Sequence, residues 1–109
     1  MESEARGRNE ALFREVNERI ETVSKGVPPD EELMGFLCEC DNTACTEKVS
    51  ATRAEYEAVR AVSTHFIVLA GHEDPEVEHV VQRNEHFLVV EKEGGAAREA
   101  EKSDPRDTS

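Results

Sequence analysis

Three cysteines stand close together, Cys38 and Cys40 separated by one residue and Cys45 following after four more. Thiolates are favoured zinc ligands, and a tetrahedral ion takes four donors. If Cys38 and Cys40 lie on a strand, their side chains leave the same face about 6.6 Å apart at the backbone, a gap that rotamers can close onto one ion. The turn Asp41-Asn42-Thr43 then returns Cys45 as a third donor. The same pair makes a poor disulfide, because parallel side chains on one strand face do not aim their sulfurs at each other. The spacing predicts a zinc-ribbon-like site; idle buried thiols or redox-active thiols are the alternatives.

His72 is the candidate fourth ligand, since it follows Gly71 in a loop at the end of a strand pattern, where an imidazole can reach inward. Glu39, Asp41, a water, or one of His65, His79 and His86 are the other choices. Four protein donors close the site, which makes one Zn2+ per chain structural. Three donors leave a position open for metal exchange or Lewis-acid chemistry, with Glu73 placed to act as a base. Glu39 and Asp41 beside the thiols raise their pKa values and oppose a reactive-thiolate role. Nothing else in the sequence resembles an organised catalytic constellation.

The elements that must position these groups read as α+β. Residues 1–8 are polar and expected to be disordered. A helical arm over 9–27 starts at an Asn9 cap, and its apolar stripe is Leu12, Phe13, Val16, Ile20 and Val23, with Arg14, Glu18, Arg19 and Glu21 toward water. Phe13, Val16, Ile20, Val23 and Val27 also fit a short heptad seam, which allows a homodimer through this helix as an alternative to a monomer. Pro28 and Pro29 make 28–34 a linker, so the helix is predicted to be a separate arm.

A metal-stapled α+β domain is predicted over 35–93. Its strands are Leu33 to Cys40, Glu47 to Ala51 and His65 to Ala70, and a hairpin pairs Val77 to Gln82 with Phe87 to Lys92 across Arg83-Asn84-Glu85-His86. Together they suggest a small, mostly antiparallel sheet. Thr52 and Glu55 form a capping box for a short helix from Arg53 to about Ala61, with Tyr56, Val59 and Val62 on one side. Residues 94–109 show no apolar periodicity and are expected to be a disordered tail.

The chain of 109 residues has room for one domain, and with no Trp and only 5% aromatics its core must be thin and benefits from a staple. A formal charge of −12, from 25 acidic against 13 basic residues, opposes nucleic-acid binding and favours a basic protein partner if charge selects one. No apolar stretch approaches a membrane span or a secretory signal, which predicts a cytoplasmic protein without a membrane partner. An odd cysteine count there argues against a disulfide framework and leaves metal binding, redox chemistry or plain burial.

The segments Arg8-Asn9-Glu10-Ala11-Leu12-Phe13, Phe36-Leu37-Cys38-Glu39-Cys40, Glu55-Tyr56-Glu57-Ala58-Val59-Arg60, Gly71-His72-Glu73-Asp74-Pro75-Glu76 and Phe87-Leu88-Val89-Val90-Glu91-Lys92 resemble a family of small actinobacterial proteins. That resemblance brings no activity, and implies that the cysteines and His72 form one unit. Leu37-Cys38-Glu39-Cys40-Asp41 is similar to the Cys-x-Cys box of the winged-helix metal repressors. Those proteins set the box in a helix and carry a basic recognition helix, whereas here two prolines precede it and the chain is acidic. The expected function is a zinc-binding protein-interaction or regulatory module; a redox-active thiol protein or metal sensor, and a nucleic-acid-associated regulator, are the rivals.

Overall fold

A computed structural model of the chain describes residues 2–23, 26, 32–40, 45 and 47–102. It is α+β, with two small antiparallel sheets. The elements in chain order are α1 (Glu2–Val23), β1 (Met34–Leu37), β2 (Lys48–Ala51), α2 (Arg53–Arg60), β3 (His65–Val68), β4 (Glu78–Arg83), β5 (Leu88–Lys92) and α3 (Gly94–Lys102). The Pro28-Pro29 linker and the Asp41-Asn42-Thr43 turn lie outside the described residues.

In place of a single sheet, β1 pairs with β2 in one ribbon, and β3, β5 and β4 form a second sheet with β5 in the middle. The expected hairpin is present, its turn held by the Asn84 side-chain oxygen, which accepts from the His86 and Phe87 amides. A bulge between Val80 and Gln82 interrupts its register. Phe36 and Val49 of the ribbon, Tyr56 and Val59 of α2, and Phe66, Ile67, Val68, Leu88 and Val90 of the larger sheet share one core. Phe36 and Tyr56 stack with ring centroids 4.5 Å apart.

α2 follows its sequence signals closely. The Thr52 hydroxyl accepts from the Glu55 amide at 3.1 Å, and the Glu55 carboxylate accepts from the Thr52 amide at 2.8 Å. Tyr56 and Val59 are buried, but Val62 lies past the helix end and is exposed.

The first helix departs most from expectation. It starts at Glu2, with no break at Asn9, because Glu, Ala and Arg in the first turns are good helix formers and acidic residues suit the positive end. Nor is it a separate arm. Its buried stripe is polar, running through Arg14, Asn17 and Glu21 at helical spacing, while Leu12 (58% exposed) and Val23 (84% exposed) face outward. Arg14 and Glu21, expected in water, are buried because each has a partner on the body of the protein. Arg14 donates to the carbonyls of Ser63 and Ala100, both at 2.7 Å, with its guanidinium 4.4 Å from the Phe66 ring centroid. Glu21 meets Arg53 at 3.6 Å, and Glu18 meets Arg60 at 3.2 Å, tying α1 to α2. Of the heptad seam, Ile20 packs against the chain's own core, and Val27 is outside the described residues.

The segment from Gly94 onward is not a disordered tail through Lys102. Ala96 and Ala100, one helical turn apart, are buried and α3 packs along α1. Alanine is the strongest helix former, and its small side chain permits close helix contact without an obvious apolar period. Residues 103–109 lie outside the described residues. No helix among the described residues is long and apolar enough to cross a membrane.

Candidate metal centre

The four candidate ligands come from three places in the chain. Cys38 and Cys40 follow β1, Cys45 precedes β2, and His72 sits in the turn after β3. β1 ends at Leu37, so the two cysteines do not project from one strand face as the sequence spacing suggested. The backbone instead bends from one sheet to the other. The Cys38 amide still pairs with the Glu47 carbonyl of the ribbon at 3.2 Å, but the Glu39 amide donates to the Ile67 carbonyl of β3 at 2.8 Å. This junction points both thiols toward the end of the larger sheet.

There the chain reverses through Leu69, Ala70, Gly71 and His72, closed by the His72 amide on the Leu69 carbonyl at 3.0 Å. Gly71, third in the turn, has φ of +91°, which suits glycine and strains residues with a Cβ. The turn brings the His72 Nδ1 to 3.6 Å from the Cys38 Sγ and 3.6 Å from the Cys45 Sγ. One donor atom from each of Cys38, Cys40, Cys45 and His72 lies within 4.8 Å of the other three.

Those separations suit a tetrahedral ion. Bonds of about 2.3 Å to sulfur and about 2.05 Å to nitrogen at tetrahedral angles give S···N separations near 3.6 Å and S···S near 3.8 Å. The Cys38–His72 and Cys45–His72 pairs already match, and no pair in the cluster needs to close by more than about 1.2 Å. Cys38 and Cys40 are buried, Cys45 and His72 half-buried, and all three cysteines are free thiols. The Leu69 amide donates to the Cys38 sulfur at 3.3 Å, a contact suited to a thiolate carrying negative charge. The donor set therefore fits a metal ion, and its three sulfurs exclude hard-cation preferences such as those of magnesium or calcium.

Burial pushes the Cys38 thiol well above the ordinary range, and the neighbouring Cys40 and Cys45 add to that, while the Leu69 amide opposes it. A free thiol held in this way is protonated at neutral pH and unsuited to nucleophilic work. Glu39, expected to raise the thiol pKa as a neighbour, instead turns its carboxylate into the core. Its oxygens accept from the Asn17 side-chain amide at 2.8 Å, the Tyr56 hydroxyl at 2.9 Å and the Ile67 amide at 3.1 Å. Burial pushes Glu39 up from the usual carboxylate range, against these three donors and Arg14. Tyr56 is raised also, by burial first and the Glu39 charge second.

Of the other ligand choices, Glu39 is thus committed elsewhere and Asp41 lies outside the described residues. His65 pairs with Glu91 at 3.0 Å, His79 with Glu93, and His86 is exposed in the hairpin turn. Glu73 accepts from the Gly71 amide at 2.7 Å and braces the turn. Reading the sequence residue by residue missed Asn17, which reaches the site's rear: its side chain exchanges two hydrogen bonds with the Leu37 backbone, at 2.7 and 2.9 Å, and a third with Glu39. A lone Asn among apolar helical positions was the available signal. No family model, curated protein or solved structure matches the chain, so the reading of this centre rests on its own geometry.

Proposed function

We propose that Cys38, Cys40, Cys45 and His72 bind one Zn2+ per chain in a closed, structural site, and that the protein is a zinc-stapled interaction or regulatory module. The observation that carries this reading is the convergence of three thiols and one imidazole nitrogen, from segments adjoining both sheets, within 4.8 Å of one another. A metal there ties the β1–β2 ribbon to the end of β3. The raised Cys38 thiol argues against a redox-active thiol protein. A net charge of −12 supports a basic protein surface as the partner over nucleic acid. The proposed setting is the cytoplasm, where free thiols persist.

The test is elemental analysis of protein purified without added metal or a histidine tag, paired with circular dichroism before and after a strong chelator. One zinc per chain with loss of the folded spectrum on chelation is expected. Metal-free protein with an unchanged spectrum refutes the structural-zinc reading.

A further inference from the structure

A second cluster of potential ligands lies on the larger sheet, away from the cysteines. Glu91 of the central strand β5 is the register partner of His65 on β3 and of His79 on β4. Side chains at paired positions share a face, so the three form one row across the sheet, His65–Glu91–His79. Each histidine presents Nε2 to a different Glu91 oxygen, His65 at 3.0 Å and His79 at 3.8 Å. Glu93, two residues on, lies against the His79 Nδ1. All four side chains keep part of their surface in solvent, from 20% for His65 to 53% for Glu93.

The placement of the two His79 ring nitrogens is the informative part. A neutral imidazole has one N–H, and here each ring nitrogen faces a carboxylate. With the Nδ1 proton given to Glu93, the Nε2 lone pair is left on the Glu91 side, 3.8 Å from the carboxylate oxygen and beyond hydrogen-bond reach. A cation lying between them would take both as ligands. The Glu93–His79 contact is also the arrangement that orients metal-bound histidines, in which a carboxylate takes the ring's other N–H.

We propose that His65, Glu91 and His79 form a second, solvent-accessible site for a borderline divalent cation such as nickel or zinc, with Glu93 as the residue that orients His79. Two imidazoles and a carboxylate make a nitrogen–oxygen donor set, chemically distinct from the sulfur-rich centre. His65 and His79 stand two strand spacings apart, about 9.6 Å at the backbone, close enough for both rings to swing over Glu91 onto one ion. The His65–Glu91 separation of 3.0 Å already suits two ligands of one metal, and the His79–Glu91 separation of 3.8 Å has to close. The open remaining positions would hold water, so this site exchanges its ion while the cysteine centre retains its own.

The experiment is a calorimetric Ni2+ titration of full-length protein whose cysteine centre is already filled with zinc, with zinc retention checked by elemental analysis afterwards. One saturable nickel equivalent at micromolar concentration is expected, with nickel-induced broadening of the His65 and His79 ring signals in the NMR spectrum. His65→Ala and His79→Ala abolish the equivalent, Glu93→Gln weakens it about tenfold, and His86→Ala leaves it unchanged. The proposal is overturned if no saturable equivalent appears, if His79→Ala binds as the parent does, or if His86→Ala matters as much. Should an alanine variant fail to fold, the ring-signal broadening in the parent protein decides, because selective broadening of other residues overturns the assignment.

Discussion

Replacing Asn17 by alanine tests whether α1 belongs to the body of the protein. Three hydrogen bonds disappear: the Leu37 amide onto the side-chain oxygen at 2.7 Å, and the side-chain amide onto the Leu37 carbonyl at 2.9 Å and the Glu39 carboxylate at 2.8 Å. The two neutral bonds are worth about 1 kcal/mol each and the one to a carboxylate about 1.5–3 kcal/mol, giving a loss of roughly 3.5–5 kcal/mol. A domain of this size has about 5–16 kcal/mol in total, so Asn17→Ala removes a large share. With a urea slope near 1.5 kcal/mol per molar, the midpoint falls by roughly 2–3 M, read by far-ultraviolet circular dichroism in saturating zinc. Leu12→Ala, on the outward face of the same helix, shifts stability by no more than about 0.5 kcal/mol. If Asn17→Ala behaves like Leu12→Ala, or if the helical signal melts well before the rest in the parent protein, the docked-helix reasoning fails.

Other outcomes follow from the centre. Sharing an apparent zinc binding energy of about 10–16 kcal/mol among four ligands makes His72→Ala cost roughly 3 kcal/mol, about 100-fold in affinity, measured by competition with a chelating dye. Gly71→Ala meets no steric obstacle but must hold its positive φ, so it loses about 1 kcal/mol, and Gly71→Asn loses less. Cys38 supplies a pH dependence. Its thiol is pushed up on folding, so the metal-free folded state binds that proton more tightly than the unfolded chain, and its stability declines as pH rises above about 9. Zinc-loaded protein, with the proton displaced, shows no such alkaline loss, and its zinc affinity weakens as pH falls; urea melts of both forms across pH check the sign.

What was legible in the sequence was what depends on near neighbours. Thr52 and Glu55 are three residues apart and announce their helix, the Arg83-Asn84-Glu85-His86 turn announces its hairpin, and three cysteines within eight positions announce a cluster. Of the four histidines it is His72 that stands beside the thiols, because Gly71 permits the reversal that carries the ring there. The failures are all tertiary. Arg14 and Glu21 look like solvent-facing residues until Ala100, Ser63 and Arg53 are known to stand opposite them. Ala96 and Ala100 carry little hydrophobic signal of their own, and matter because α1 lies against them. The separate-arm expectation gave the prolines weight that the buried polar stripe overrules.

That stripe also bears on why a small core should contain so much polarity. Apolar contacts fix how much surface is buried, but they tolerate sliding and rotation of one helix on its neighbours. Asn17 can satisfy both Leu37 backbone groups and Glu39 at only one rotation of α1, and Arg14 can reach Ser63 and Ala100 at only one depth. Each is costly to bury without its partners, so misdocked arrangements are penalised more than the native one is rewarded. Leu37, Glu39 and the two flanking cysteines belong to one short stretch of backbone, held from behind by α1 and Tyr56 and carrying two thiols of the candidate metal centre in front. Fixing that stretch from one side lowers the conformational cost of fixing it from the other. Metal binding at the proposed centre would therefore be coupled to helix docking through residues 37–40, with neither needing to touch the other directly.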